Sequence, residues 1–281
     1  MTPESFEVFA TVLHAGSGLA IGPDKTYLLE TRLAPLVRRE GMPGLDALAA
    51  RLRSHAQTPL AREVVEAMTT NESFFFRDDK PFTHLRTQAL PRLHAARPAG
   101  ARLRLWSAAA STGQEAYSLA MLVAEGRMAL GTREVEILGT DIAREPLARA
   151  RAGSYTQFEI QRGLPMQMLV KYFRKEGTQW QLADAIRAMV GFREWNLLGD
   201  LRPLGQFDVV FCRNVLIYFD QGTKARVLEG IARQLAPDGL LYLGGAETVL
   251  GITNRLVPSG SDYGVYELAP TRTVARERVS A

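Results

Sequence analysis

The hydrophobic positions divide the chain into a helical first quarter and a longer region in which strands and helices alternate. Residues 2–68 show no alternating strand pattern, and apolar residues recur there at helical spacing, as at Leu29, Leu33 and Val37. Farther along, short apolar runs suited to buried strands alternate with helical patterns; these runs are Leu103–Trp106, Val135–Gly139 and Phe207–Cys212. The pattern predicts a small all-helical domain followed by an α/β sheet covered by helices.

The first predicted strand leads into a turn of small residues and then a helix. The turn runs from Ser107 to Gly113, and the helical pattern begins near Glu115. In an open α/β sheet such a turn lets a ligand approach the backbone closely, and the helix N-terminus offers it free N–H groups. The chain has neither a Gly-x-Gly-x-x-Gly pattern here nor a following Gly-Lys-Ser/Thr. We therefore expect a nucleotide-like ligand that is neither NAD nor ATP.

An acidic residue near this turn is a candidate ligand contact. Asp141 follows the second predicted strand, where a carboxylate can accept hydrogen bonds from both hydroxyls of a ribose. The alternative for Asp141 is an N-cap of the helix that follows it. Glu115, an acid in the first turn of the helix after the small-residue turn, complements the dipole of that helix.

Composition and charge narrow the class of protein. The 281 residues are 46% apolar and 23% charged, which is typical of a soluble globular protein. We find neither a signal peptide nor an apolar run long enough to span a membrane, so we expect a cytoplasmic protein. The single cysteine, Cys212, excludes an internal disulfide, and four scattered histidines predict no metal site. A net charge of only +4 does not indicate nucleic-acid binding.

Five motifs give the chain a resemblance to a known family. In chain order they are TTNESFFFRD, WSAAASTGQEAYSLAM, GTDIA, NLL and FDVVFCRNVLIYFD. Together they resemble the CheR family of chemotaxis protein methyltransferases, over a match from about Ala10 to Leu268. The resemblance implies a Rossmann-like class I methyltransferase sheet of seven strands with a small inserted antiparallel β-subdomain. It also implies S-adenosylmethionine as cofactor and methylation of glutamate side chains on chemoreceptor helices.

The resemblance assigns roles to particular residues. Arg77 and Tyr218 are the implied catalytic residues. The implied cofactor contacts are Asn71, Ser73, Arg77, Glu115, Asp141, Asn196, Leu197, Arg213 and Asn214. Ser73 replaces the usual threonine, and Gln114-Glu115-Ala116 replaces the common Glu-Glu-Pro. For the TTNESFFFRD segment an alternative exists, in which its phenylalanines pack into an interdomain core and Arg77 is a surface cation.

A basic helix in the first domain is the implied docking surface for acidic receptor helices. Lys25, Arg32 and Arg38 match basic positions of the family, whereas Pro35 and Leu36 stand where it has cations, so docking is expected to be weaker or differently specific. The alternative is an ordinary solvated helix face, in which Pro35 kinks or divides the helix.

The sequence also predicts domain bounds. We expect a helical domain at 1–70, a lid and linker at 71–100, the methyltransferase domain at 101–268 and a flexible tail at 269–281. The inserted β-subdomain is placed at about 155–194, with strands at Thr178–Leu182 and Ile186–Val190. This insertion lacks the glycine-rich loop of relatives that bind a pentapeptide tether at the receptor C-terminus, so we expect no tether binding.

The chemistry of the implied reaction places limits on the site. A glutamate carboxylate has a pKa near ~4.3, so at neutral pH it is already ionised and needs no general base. The enzyme must therefore align the carboxylate, a task for Arg77 and Tyr218, in a site that excludes water. Two other functions stay open: methylation of a non-chemoreceptor carboxylate in another signalling system, and a non-catalytic module that senses S-adenosylmethionine.

Overall fold

The computed structural model describes residues 1–54, 58–126, 130–131, 133–260 and 264–270. The chain begins with four helices: α1 (Pro3–Ser17), α2 (Thr26–Arg39), α3 (Leu45–Ser54) and α4 (Pro59–Met68). The apolar stripe predicted on the second helix is buried at Leu29, Leu33, Leu36 and Val37, and α2 packs against α3 and α4. Helix α2 runs undivided through Pro35. Burial of the residues around this proline offsets the backbone hydrogen bond that it removes.

A second helical stretch leads from the N-terminal domain to the sheet. It consists of α5 (Lys80–His84), a π-helical turn (Leu85–Ala89) and α6 (Leu90–Ala96). Leu85, Leu90 and Leu93 are buried against the main core. Within the described parts of the chain, no helix is long and apolar enough to cross a membrane.

The main sheet has seven strands in the order β6-β2-β1-β7-β8-β10-β9. Strands β1, β2, β6, β7 and β8 pair in parallel, whereas β10 pairs antiparallel with β8 and β9. The strands are β1 (Leu103–Ala108), β2 (Val135–Asp141), β6 (Val190–Glu194), β7 (Phe207–Cys212), β8 (Leu235–Leu243), β9 (Leu256–Pro258) and β10 (Val265–Leu268). The helices of this domain are α7 (Gln114–Glu125), α8 (Arg144–Ala152) and α12 (Gln221–Gln234).

The strand order creates a cleft at one edge of the sheet. Strand β1 lies between β2 and β7, and Ala108 at its end is paired with both Thr140 and Cys212. Since the three strands run parallel, the loops that follow them meet at the same edge. This is the switch point at which open α/β sheets bind ligands.

The insertion carries a separate three-stranded antiparallel sheet in the order β3-β5-β4. Its elements are β3 (Ser154–Thr156), α9 (Gln157–Gln161), α10 (Met166–Tyr172), β4 (Phe173–Glu176), β5 (Gln179–Leu182) and α11 (Asp184–Arg187). The predicted strand Ile186–Val190 is wrong, because Ile186 lies on α11 and Val190 opens β6 of the main sheet. Ile186 and Val190 are four residues apart, and this spacing places two apolar side chains on one face of a helix as well as on one face of a strand. The insertion therefore ends before the predicted 194.

The predicted fold class is confirmed: a helical N-terminal domain, a Rossmann-like sheet of seven strands and a small inserted antiparallel sheet. Strands β9 and β10 pair antiparallel at the edge of the sheet, and residues 261–263 between them lie outside the described residues. The predicted tail also lies outside them from residue 271 onward.

Candidate functional site

A cavity lies at the carboxyl ends of β1, β2 and β7. Its volume is about 1040 Å³, which includes space that is open to solvent. Its wall includes all the residues assigned to the site from the sequence: Asn71, Ser73, Arg77, Glu115, Asp141, Asn196, Leu197, Arg213, Asn214 and Tyr218. Ser17 and Leu19 of the N-terminal domain also line it. The sequence did not indicate this last contribution, since Ser17 ends α1, Leu19 follows that helix, and neither residue belongs to a recognisable motif.

Asp141 holds the turn that follows β1. Its carboxylate accepts hydrogen bonds from the backbone N–H of Ser111 at 2.8 Å and of Ala143 at 2.9 Å. The turn is strained, because Ala109 and Ser111 have positive φ angles of 64° and 51°. Burial raises the pKa of Asp141, and the two backbone N–H groups oppose that rise. A carboxylate has about four acceptor positions, so capacity remains for ligand hydroxyls.

Glu115 is held in the first turn of α7 by two donors. Ser107 Oγ donates to one carboxylate oxygen at 2.8 Å, and Arg213 Nη1 donates to the other at 3.3 Å. Burial raises the pKa of Glu115, whereas the nearby Arg213 charge and the Ser107 hydroxyl lower it. Glu115 is thus more than a partner for the helix dipole, because it forms an ion pair on the wall of the cavity.

Arg213 joins the sheet to the segment that covers the cavity. Its side chain is 1% exposed. Nη2 donates to the backbone carbonyl of Arg77 at 2.9 Å and to the Asp78 carboxylate at 2.6 Å. Arg213 Nε has no hydrogen-bond partner among the residues that the structure describes. Arg213, which directly follows β7, therefore holds the backbone of Arg77 in place.

The three consecutive phenylalanines divide between core and cavity. Phe75 is fully buried and makes edge contacts with Tyr155 and Phe173 of the insertion, at ring distances of 5.0 and 5.6 Å. Phe76 packs on Phe82 at 5.3 Å. Phe74, in contrast, lines the cavity. Phe75 and Phe76 therefore pack within the core of the sheet domain and its insertion, and not into an interdomain core.

Arg77 faces the cavity instead of bulk solvent. Its guanidinium lies 4.9 Å from the ring centre of Phe74. Across the described ranges it forms no ion pair and its side chain donates no hydrogen bond. A cation in this state is available to a carboxylate that enters the cavity.

Tyr218 is placed jointly by the two domains. It ends a 3-10 turn, Leu216–Tyr218, and its carbonyl accepts a hydrogen bond from Ala20 N at 3.0 Å. Leu19 forms a β-bridge with Phe219.

The side-chain amide of Asn196 is hydrogen-bonded to other residues of the protein. Its Nδ2 donates to the Gly16 carbonyl at 2.7 Å, and its Oδ1 accepts from Leu198 N at 2.9 Å.

Glu247 supports the loop that follows β7, a role that the sequence analysis missed. Its buried carboxylate accepts hydrogen bonds from five backbone N–H groups at 2.7–3.3 Å: those of Asn214, Val215, Leu216, Ile217 and Gly244. This arrangement stabilises Asn214 at a positive φ of 58°. The only available signal was an acid shortly after β8, the strand that Gly244-Gly245 follow.

The three basic positions of the first domain differ in their surroundings. Lys25 and Arg38 are exposed. Arg32 instead donates to the carbonyls of Met68 at 2.7 Å and Thr69 at 3.0 Å, and to Thr70 Oγ1 at 3.1 Å. Arg32 therefore fixes the start of the segment that carries Asn71.

Comparison with known proteins identifies the family. Residues 4–69 match the family model described as CheR methyltransferase, all-alpha domain, and residues 71–265 match that of CheR methyltransferase, SAM binding domain. The chain is 39% identical to chemotaxis protein methyltransferase Cher2 of Pseudomonas putida over 254 residues, covering 88% of this chain and 91% of that protein. It is 41% identical to chemotaxis protein methyltransferase 1 of Pseudomonas aeruginosa, covering 87% and 90%. The chain therefore belongs to the CheR family of S-adenosylmethionine-dependent chemotaxis protein methyltransferases.

Proposed function

We propose that this methyltransferase acts in the cytoplasm on chemoreceptors and converts glutamate side chains to methyl esters. The observation that carries the proposal is the guanidinium of Arg77, which has no ionic partner among the described residues and lies in the cavity that also contains Asp141 and Glu115. A cavity with two fixed acids on one side and a free cation on the other suits a charged cofactor and a carboxylate acceptor.

The residues around the cavity fit S-adenosylmethionine. Asp141, at the end of β2, has acceptor capacity for ribose hydroxyls. Glu115 and Arg213 present opposite charges, which suit the ammonium and carboxylate groups of the methionine moiety. Leu197 and Val215 provide apolar wall.

The chain's own residues then have to orient and desolvate the acceptor. The bound cofactor supplies a methyl group on a positively charged sulfur. Arg77 would hold the acceptor carboxylate, and the Tyr218 hydroxyl would donate a second hydrogen bond to it. Phe74 limits the movement of Arg77, and the surrounding lid excludes water, which strengthens the attraction between the carboxylate and the cofactor. The acceptor needs no base, because it is already ionised at neutral pH.

Docking through the basic helix remains part of this proposal. The exposed Lys25 and Arg38 are candidates for direct contact with acidic receptor helices, whereas Arg32 would support that surface by holding the helix against the lid.

We further propose that no C-terminal peptide is bound. The turn between β4 and β5 contains only Gly177 and Thr178, so no extended loop is present there to hold a peptide strand.

Methyl transfer to receptors tests the proposed function. Membranes that contain one receptor type each are incubated with the protein and radiolabelled S-adenosylmethionine, and Asp141→Ala serves as the control. We expect label on a receptor and its release as methanol in alkali, as for a carboxyl methyl ester. Label on a different protein would identify another acceptor. Binding of S-adenosylhomocysteine without any transfer would indicate a sensing module. A free receptor C-terminal peptide should show no binding by titration calorimetry.

A further inference from the structure

A row of alternating arginine and phenylalanine side chains leads from the cavity to the surface of the insertion. Arg77 lies 4.9 Å from the ring centre of Phe74, Arg162 lies 3.6 Å from the same ring, and Arg162 lies 5.2 Å from the ring of Phe158. We call these four residues the Arg–Phe ladder. Arg77 and Phe74 line the cavity, whereas Phe158 is 65% exposed.

The ladder is held firmly against the lid. Arg162 forms an ion pair with Glu72 at 2.9 Å in addition to its contact with Phe74. Gly163, with a φ of 89°, brings the chain so close to the lid that a Cβ atom there would lie 2.0 Å from the Phe75 carbonyl oxygen. An aromatic ring anchored by these contacts loses little conformational entropy when a partner covers it.

We propose that the Arg–Phe ladder is a docking surface for the acceptor, and that Phe158 contacts an apolar residue on the helix that carries the methylated glutamate. The inference rests on the proposed function and adds how the acceptor is chosen. Continuity is the first argument, since the ladder starts at the residue proposed to hold the acceptor carboxylate. Its three contacts, none longer than 5.2 Å, place Phe158 within about three helical turns (~5.4 Å each) of Arg77.

Charge is the second argument. Arg77, which has no ionic partner in the described part of the chain, favours a helix with an acidic position, whereas the charge of Arg162 is already paired with Glu72. The exposed ring favours an apolar position on the same face of that helix. The occupant is therefore an amphipathic acidic helix of the acceptor protein. A lipid surface or a second copy of this chain would have to contact the same arginine and phenylalanine side chains. The experiment below distinguishes these occupants from the acceptor helix.

The test measures binding and transfer separately. Sedimentation with receptor-containing and receptor-free membranes gives the dissociation constant, and initial rates give KM and kcat for the receptor. For Phe158→Ala we expect a dissociation constant and a KM raised about tenfold, with kcat and S-adenosylhomocysteine affinity within twofold of the wild type. Phe158→Leu should recover part of the loss. Val170→Ala, which shortens another exposed apolar side chain of the insertion, is the matched control and should leave both constants unchanged.

The outcomes separate this inference from the proposed function. Receptor binding that depends on Phe158 without methyl transfer would refute the proposed function and support the docking surface. Methyl transfer with a normal KM for Phe158→Ala, or an equal rise for Val170→Ala, would refute the docking surface alone. Phe158-dependent binding to receptor-free membranes, or a wild type that binds no receptor, would also overturn it.

Discussion

The two sides of the cavity differ in how fully their charged groups are paired. On the side formed by the strand ends, Asp141 and Glu115 each accept at least two hydrogen bonds from the protein, and Glu247, which supports the loop after β7, accepts five. The opposite side, called the lid side below, consists of Arg77 of the lid and Tyr218 of the loop after β7, whose side chains have no hydrogen-bonding or ionic partner in the described part of the chain. The acids of the strand-end side are thus paired within the protein, whereas Arg77 has no anionic partner there, since the lid acids Glu72 and Asp78 pair with Arg162 and Arg213.

This difference indicates a division of labour. Under the proposed function, the pre-formed set of buried acids would bind the cofactor without rearrangement, which avoids an energetic cost at each turnover. Arg77, with no ionic partner among the described residues, would then make its strongest interaction with the acceptor. Arg213 connects the two sides, since it contacts both Glu115 and the backbone of Arg77.

Removing the free cation should give the largest effect. For Arg77→Ala we expect the single-turnover rate at saturating cofactor to fall at least about 1000-fold, or ~4 kcal/mol, because the acceptor loses its orienting charge. Affinity for S-adenosylhomocysteine should fall less than about tenfold, since the strand-end acids remain. Arg86→Ala, at an exposed arginine, is the control. Near-normal turnover of Arg77→Ala would make Arg77 a cofactor clamp and remove the distinction between the two sides.

Substitution of Asp141 on the strand-end side should mainly weaken the binding of the cofactor. Asp141→Ala should weaken S-adenosylhomocysteine binding by about 2 to 4 kcal/mol, because two charge-assisted hydrogen bonds to hydroxyls are lost. The variant also leaves the N–H groups of Ser111 and Ala143 without their acceptor, so its melting temperature should fall. Titration calorimetry on the folded variant measures the affinity. An unchanged value would show that Asp141 only anchors the turn.

The same contrast explains what the sequence could predict. Strand β7 was predicted with its observed bounds, Phe207–Cys212, because a strand buried on both faces is a continuous apolar run. Asp141 was found because the carboxyl ends of parallel strands meet at the ligand. The segment around Ile186 was misassigned because four or five residues do not distinguish a strand from a short helix.

Contacts between distant parts of the chain were beyond the sequence pattern. Glu247 binds a loop about 30 residues earlier in the chain, at a sequence separation of 33 from Asn214. Arg162 lies 90 residues after its partner Glu72. Neither residue stands in a motif with a local mechanism, so only the folded chain brings them to the site.

Glu247 tests whether the loop after β7 belongs to the fixed part of the site. Glu247→Gln keeps the size of the side chain but turns an NH2 group toward backbone N–H donors. We expect the free energy of unfolding to fall by about 2 to 3 kcal/mol, because at least two donors lose their acceptor. Urea unfolding measures this loss, with the exposed Glu229→Gln as control. Equal stability of both variants would mean that the loop does not need its carboxylate.

Tyr218→Phe should give the smallest effect and sharpen the comparison on the lid side. The substitution removes one hydroxyl and leaves the ring, and the backbone bond from Ala20 to the carbonyl of residue 218 is independent of the side chain. We expect the single-turnover rate at saturating cofactor to fall about ten- to a hundredfold, or roughly 1.4 to 2.7 kcal/mol, through loss of one hydrogen bond to the carboxylate. Stability and S-adenosylhomocysteine affinity should not change. If affinity fell as much as the rate, Tyr218 would belong to the cofactor side, and the open side of the cavity would consist of Arg77 alone.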